Sequence, residues 1–453
     1  MRWRRAGLIA CLCIAALVVG VATERLDMEP APTIRGVLSS IRVTVAMLRR
    51  AAGQTVQASL GDRPLPEHSG TVIHDGSAMA PGLTLLATGG PEVTLMAADG
   101  KAVHRWRVPV EQLFTLPGLL RPEDITIDGL VLLPDGSLLA LLLDEEEFPA
   151  FHWDDTVMNT VLVKIDKDSK LIWSFTGNPH HDVRQGPDGH FFVLVGREGQ
   201  PPAREGLPIP AQFRDEGVAE IDADGHPLRT IWLSDALGRS PYAQTFAVLD
   251  EGWFGCPRDQ HYCWDLFHAN TVQIISKNVA EKFPQVSEGD LLVNLRDMDT
   301  VVVIDRKTGL VHWARRGNWH HAHDAELTEQ GTLMIFDNRA NIGGAEPSRI
   351  LEIDPKNGAE LWSYDGGTSH PFSSSVRGTK QALPNGNVLV TESTGGRAFE
   401  VTRAGDLAWE YVSPPVAGTR FAPVIWGAQR IDPADYAFLQ NCASCGTQAA
   451  HAP

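Results

Sequence analysis

An all-β ring of six four-stranded blades, a β-propeller, is the fold class this sequence predicts, and three observations predict it. Turn-forming residues are frequent, with 42 Gly and 30 Pro in 453 residues, and Pro is poorly tolerated inside helices. A strand–turn–strand pattern ending in Trp occurs six times, and a second hairpin pattern interleaves with it, again six times. Two hairpins per period make four strands per unit, and six such units can hide their faces by stacking around a ring.

In chain order, Arg2, Arg4 and Arg5 precede an uncharged run from Ala6 to Ala22, which Glu24 and Arg25 close. Residues 1–25 thus have the form of an export segment, either cleaved as a signal peptide or retained as an anchor through residues 6–22. The rest of the chain is then expected to be periplasmic or otherwise extracytoplasmic, with membrane contact only through this segment. Residues 26–65 are expected to form a short helical connector, because Ile34, Val37, Leu38, Ile41, Val45 and Leu48 recur at helix-compatible spacings. The propeller is expected over 66–440 and a polar tail over 441–453.

Within the propeller, the first pattern ends at Trp106, Trp173, Trp232, Trp313, Trp362 and Trp409, as in TVVVIDRKTGLVHW and RILEIDPKNGAELW. Each copy is a strand, a tight turn and a second strand whose Trp can pack beneath its neighbours. The second pattern reads LLPDGSLLALL, QGPDGHFFVLV, VSEGDLLVNL, LTEQGTLMIF and LPNGNVLVTE, with APGLTLLAT as a degenerate member. The long interval from Trp232 to Trp313 calls for a loop insertion. Ring closure is expected from the segment 420–439 or from a strand near Thr71.

Charge and cysteines narrow the partners. With 56 acidic against 39 basic residues, the formal charge of −17 would repel a phosphate backbone, so nucleic acid is not expected. Cys11 and Cys13 lie in the export segment. Cys256 and Cys263 flank a short polar and aromatic loop and are an expected disulfide staple; Cys442 and Cys445 in the tail could also close.

In a propeller the innermost strand of each blade borders the central channel, so the residues opening those strands are candidate channel residues. His181-Asp182 stands eight positions before Gly189, and His323-Asp324 stands eight before Gly331. His268-Ala269-Asn270 precedes another inner strand, and the equivalent slot of the last blade falls at Arg377-Gly378, with His370 just upstream. Imidazole and cationic groups converging on the axis of an acidic protein would form a local anion site. The cluster His320-His321-Ala322-His323 also admits a metal reading, since strand alternation would place His321 and His323 on one face. No Cys set completes a structural zinc site, and no metal or other cofactor is expected.

The stretches FHANTVQII, HDAELTEQGTLMIFDNR, SRILEID with its following Trp, LPNGNVLV and TRFAPVIWGAQRIDPADYAFL cover roughly residues 265 to 440. Through them the chain resembles the bacterial arylsulfotransferase family, exported enzymes that move a sulfuryl group between phenols without a nucleotide donor. The resemblance implies a six-bladed propeller with its site in the central channel, and an aryl sulfate and a phenol as small-molecule partners. It places the channel histidines at His268 and His323 and the sulfuryl-binding arginine at Arg339, with Arg349 as the alternative. His181, Asn270, Asn338, Arg349 and His370 complete the expected substrate-binding set. One departure is plain: where the family has a nucleophilic histidine near the last blade, this chain has Thr394-Gly395-Gly396-Arg397. Either His323, His181 or His370 would then form the covalent intermediate, or an imidazole would act only as proton donor. A non-catalytic propeller binding a ligand or an envelope protein, and a metal-dependent enzyme, stand as the two rival readings.

Overall fold

The structure, a computed structural model, describes residues 60–64, 68–113, 125–144, 160–198, 212–245, 262–263, 266–339, 347–415 and 421–440. The expected export segment, nearly all of the expected connector, the expected tail, Cys256, Cys442 and Cys445 lie outside the described residues.

Six antiparallel blades form a closed propeller. Blade two holds Ile125–Leu132, Leu138–Asp144, Thr160–Ile165 and Leu171–Phe175, in that order outward from the axis. Blade three holds Pro179–Gln185, Phe191–Glu198, Gln212–Ile221 and Pro227–Trp232. Blade four holds Ala269–Ile274, Leu291–Leu295, Thr300–Asp305 and Leu310–Arg316. Blade five holds His323–Leu327, Leu333–Asp337, Arg349–Ile353 and Glu360–Tyr364. Blade six holds Thr379–Ala382, Val388–Glu392, Arg397–Val401 and Leu407–Val412, with Gly70–His74 added at its outer edge.

Blade one closes the ring. Its outer strands Leu83–Thr88, Glu92–Met96 and Ala102–Arg107 come early in the chain, and its innermost strand Ile425–Ile431 comes from the far end. Both segments anticipated for closure therefore take part, one at the axis and one at the rim. This also explains the degenerate APGLTLLAT copy: blade one has no hairpin between its first two strands, so no turn sequence is required there. In the other five copies the turn glycine, Gly136, Gly189, Gly289, Gly331 or Gly386, sits at φ between 80° and 89°, a left-handed conformation that costs a residue with a Cβ. Leu60–Pro64, at the end of the expected connector, is a strand paired with Phe421–Pro423.

All six repeat tryptophans lie in the outermost of the four hairpin-connected strands. Trp106, Trp313 and Trp409 are buried, and the other three are half-buried. Four of them also staple their blade to a turn of the next. The indole N–H of Trp106 donates to Gly136 O at 3.0 Å, Trp173 to Ala223 O at 3.0 Å, Trp362 to Arg403 O at 3.1 Å and Trp409 to Ala98 O at 2.9 Å. The last of these crosses the closure from blade six to blade one. Between blades lie apolar clusters, such as the one joining Met334, Phe336 and Ile350 of blade five to Val388, Val390 and Phe399 of blade six.

The insertion expected between Trp232 and Trp313 is partly helical. Helix α1, Leu233–Gly238, follows blade three. Helix α2, Lys277–Lys282, interrupts the first hairpin of blade four and is capped by Ser276, whose hydroxyl accepts the Val279 N–H at 3.2 Å. Replacing Trp409→Ala removes a fully buried ring and the closure staple together. It is expected to lower unfolding stability by about 3–5 kcal/mol, read from urea unfolding curves; a change under about 1 kcal/mol would show that closure does not depend on this ring.

Candidate functional site

Five of the six innermost strands carry a register shift where they border the axis. The shifts fall at Asp128, at His181-Asp182, at Asn270, at Asp324-Ala325 and at Trp426. A bulge leaves a residue unpaired and re-aims its side chain. His181, His268 and Asp324 take left-handed φ values of 58°, 47° and 47°. The strand of blade six pairs without a shift, and Arg377 just before it takes φ 61°.

These residues meet at the axis. Asp128, His181, Asn270, His323, Arg377 and Trp426, one from each blade, line a common cleft. The His268 ring lies 5.0 Å from that of His181, edge to face. His181 Nδ1 is 2.9 Å from His180 Nδ1, so a single proton is shared between them. His180 Nε2 faces the fully buried Glu216 carboxylate at 3.4 Å. Arg377 is held from two sides: its guanidinium stacks on Trp426 at 3.8 Å and its Nε is 3.6 Å from Asp128 Oδ1. Asp128 Oδ2 also accepts the His181 backbone N–H at 3.2 Å.

His323 opens the inner strand of blade five and is buried. Its Nδ1 is 2.8 Å from Asn338 Oδ1, and Asn338 Nδ2 donates to Ser374 O at 2.9 Å and Arg377 O at 2.5 Å. Asn270 Nδ2 donates to Ala322 O at 2.9 Å, joining blade four to the approach of blade five. Burial, with nearby positive charge from Arg296 and His268, holds His323 well below the usual imidazole range. Burial and the neighbouring His268 do the same to His181. His321, stacked on His320 at 4.3 Å, is pushed down to about 3 by burial and by Arg296. Burial raises Asp128 while Arg377 opposes the rise.

The cleft opens into a cavity of about 410 Å³ that shares Asp128, Asp182, Arg184, Asp324 and Trp426 with it. There Arg184 bridges Asp182 at 3.2 Å and Asp324 at 3.5 Å, and Lys380 Nζ reaches Glu326 at 2.8 Å. Arg339, Arg349 and His370 are placed elsewhere. They line a second cavity of about 530 Å³ with Trp362, Tyr364 and Arg403. Arg349 Nε donates to Asp337 Oδ2 at 2.8 Å, and Arg339 Nε is 3.8 Å from the same oxygen.

Asp128, Arg184, Trp426 and Arg296 are among the channel-side residues that escaped the sequence reading. Asp128 stands eight positions before Gly136, the same offset that marks His181 and His323, so counting back from every turn glycine would have found it. Trp426 belongs to a strand with no such turn and has no equivalent signal. Arg296 follows the second strand of blade four, and its backbone N–H donates to His268 O at 3.3 Å.

Among the described residues, Asp188, His190 and Glu220 lie close enough together to suggest a metal site. Arg306 already bridges Asp188 at 2.8 Å and Glu220 at 2.5 Å, so a guanidinium supplies the positive charge there.

Six blades each send a polar or aromatic residue to one axial cleft, which defines a propeller with a polar central channel. Residues 142–414 match the arylsulfotransferase (ASST) family, and the chain belongs to that family. Comparison with curated proteins finds no match. Among solved structures, a protein of unknown function from Bacteroides caccae is 12% identical, covering 76% of this chain and 99% of its own, with a TM-score of 0.46. Virginiamycin B lyase from Staphylococcus aureus is 11% identical, over 65% of this chain and 72% of its own, with a TM-score of 0.34. The Cps50 (Swd1) β-propeller domain of Myceliophteria thermophila is 12% identical, over 78% and 89%, with a TM-score of 0.40.

The Asp182 carboxyl carries a pH signature. Burial raises it to about 6, with Arg184 and the Val272 N–H opposing and Asp324 adding to the rise. The native state therefore binds this proton more tightly than the unfolded chain, whose carboxyl titrates near 4. The group gains stability as pH falls from about 6 to about 4, and that gain is absent above 6. Compared with Asp182→Asn, the wild-type protein should gain on the order of 2 kcal/mol across that window. Thermal unfolding of both at pH 7 and pH 4.5 reads it; parallel pH profiles would remove this assignment.

Proposed function

We propose that the axial cleft transfers a sulfuryl group from an aryl sulfate to a phenolic acceptor. The observation that carries this reading is the convergence of His181, His268, His323 and Arg377 from four separate blades, in a protein of the arylsulfotransferase family. Sulfuryl transfer spreads negative charge over the sulfuryl oxygens and the departing phenolate, so fixed positive charge and a proton donor are required. Arg377, braced by Trp426 and Asp128, holds the oxygens. Arg339, which the family resemblance implied for that role, lines the second cavity.

The uncharged His323 ring attacks sulfur with a nitrogen lone pair. An N–S bond forms, the S–O bond to the aryl group breaks, and its electron pair leaves on the phenolate oxygen. His268 gives that oxygen a proton. In the second half the acceptor phenol passes its proton to His268 while its oxygen attacks sulfur, and the N–S electron pair returns to His323. This route needs no histidine at Thr394-Gly395-Gly396-Arg397 in the last blade. Arg2, Arg4 and Arg5 ahead of the uncharged run Ala6–Ala22 support export of the chain, and with it a reaction outside the cytoplasm.

Purified, chelator-treated protein should transfer sulfuryl from a chromogenic aryl sulfate to phenol. His323→Ala should lower kcat/KM by about 10³-fold or more; an unchanged rate removes His323 from the chemistry, and no turnover over a broad donor panel favours the non-catalytic binding reading. The pH profile is a separate check. Because burial keeps His323 uncharged well below the usual imidazole value near 6.5, kcat/KM should stay level down through pH 6.5 and fall only at more acidic pH. An acid limb centred at or above 6.5 would contradict a buried neutral nucleophile.

A further inference from the structure

Asn338 follows the second strand of blade five and is 2% exposed. Both hydrogens of its amide are engaged by backbone carbonyls of the blade-six approach, Ser374 O at 2.9 Å and Arg377 O at 2.5 Å. Carbonyl oxygens only accept, so these two partners decide which end of the amide is the NH₂ group. The other end, Oδ1, faces His323 Nδ1 at 2.8 Å. An amide oxygen also only accepts, so His323 Nδ1 must carry the hydrogen. A neutral imidazole has one N–H, and Nε2 therefore keeps the lone pair.

We propose that Asn338 is a positioning residue: it holds His323 in the Nδ1–H tautomer, with Nε2 as the reactive nitrogen, and ties that ring to the turn that carries Arg377. One side chain thereby sets both the nucleophile's electronic state and its spacing from the cation. In the opposite tautomer Nε2 would bear a hydrogen and could not attack sulfur. The Arg377 carbonyl that Asn338 binds belongs to a residue at φ 61°, so the same bond steadies a backbone conformation that residues with a Cβ rarely adopt. Asn338 acts through His323 and Arg377, because both of its N–H groups already have backbone partners.

The catalytic consequence rests on the sulfuryl-transfer reading, but the tautomer does not, and the test separates them. In protein labelled with ¹⁵N-histidine, with His323→Gln assigning the signal, the His323 proton at pH 7 should sit on Nδ1. A proton on Nε2 in the wild-type protein overturns the proposal without recourse to any Asn338 variant. In Asn338→Ala the Nδ1 preference should be lost and kcat should fall about 10²- to 10⁴-fold, with KM changed less than about threefold. Asn338→Asp, whose carboxylate can still accept from Nδ1, should restore the Nδ1–H signal and move the acid limb of the pH profile upward. An Asn338→Ala protein with wild-type kcat and an unaltered His323 signal would refute the positioning role. A His323 Nδ1–H signal in a protein that turns over no aryl sulfate would support the tautomer lock and sink only the transfer reading.

Discussion

Each innermost strand of the ring has one edge turned toward the axis, and the backbone groups on that edge must find partners in a space too narrow for another strand. Side chains of the preceding blade supply them. Asp128 accepts the His181 N–H, Asp182 the Val272 N–H at 3.0 Å and Asp324 the Lys380 N–H at 2.6 Å. Gln273 pairs with both the N–H and the carbonyl of Leu327, and Gln381 with both groups of Arg430. These contacts run from blade two through blade six and back to blade one. They oblige the axis to be polar, and a polar axis is the precondition for any chemistry in it.

The site is built from the same requirement. Carboxylates that satisfy strand edges bring negative charge into a buried space, and cations accompany them: Arg377 beside Asp128, Arg184 between Asp182 and Asp324, Lys380 beside Glu326. Near-balanced charge leaves the imidazoles to be governed by burial, which keeps His181 and His323 uncharged. A buried neutral imidazole beside a braced guanidinium is a chemical arrangement, whereas either group alone in a turn would be ordinary structure. The bulges matter for the same reason, because a regular strand would turn these residues into the blade faces.

The blade count, the hairpin turns and the role of the tryptophans were legible along the chain because each is a local pattern repeated six times. Even the degenerate APGLTLLAT copy carried information, since its missing turn marks the blade whose first strand arrives from the other end of the chain. The offset of eight residues before a turn glycine located His181 and His323, and would equally have located Asp128. Trp426 had no such ruler. Arg339, Arg349 and His370 lie near the channel histidines in sequence, yet they line a different cavity, beside Trp362 and Tyr364 of the outermost strand of blade five.

The sequence by itself determined that the chain is a six-bladed ring with histidine and arginine at its inner strands, because strand periodicity, turn residues and hairpin repeats act within a few residues of one another. Only the tertiary structure decided which cation faces the histidines, which carboxylate braces it and which ring nitrogen of His323 bears the hydrogen. Those depend on contacts between blades such as Asn338 with Arg377 and Asp128 with Arg377, separated by 39 and 249 positions, and closure of the ring is the physical event that creates them.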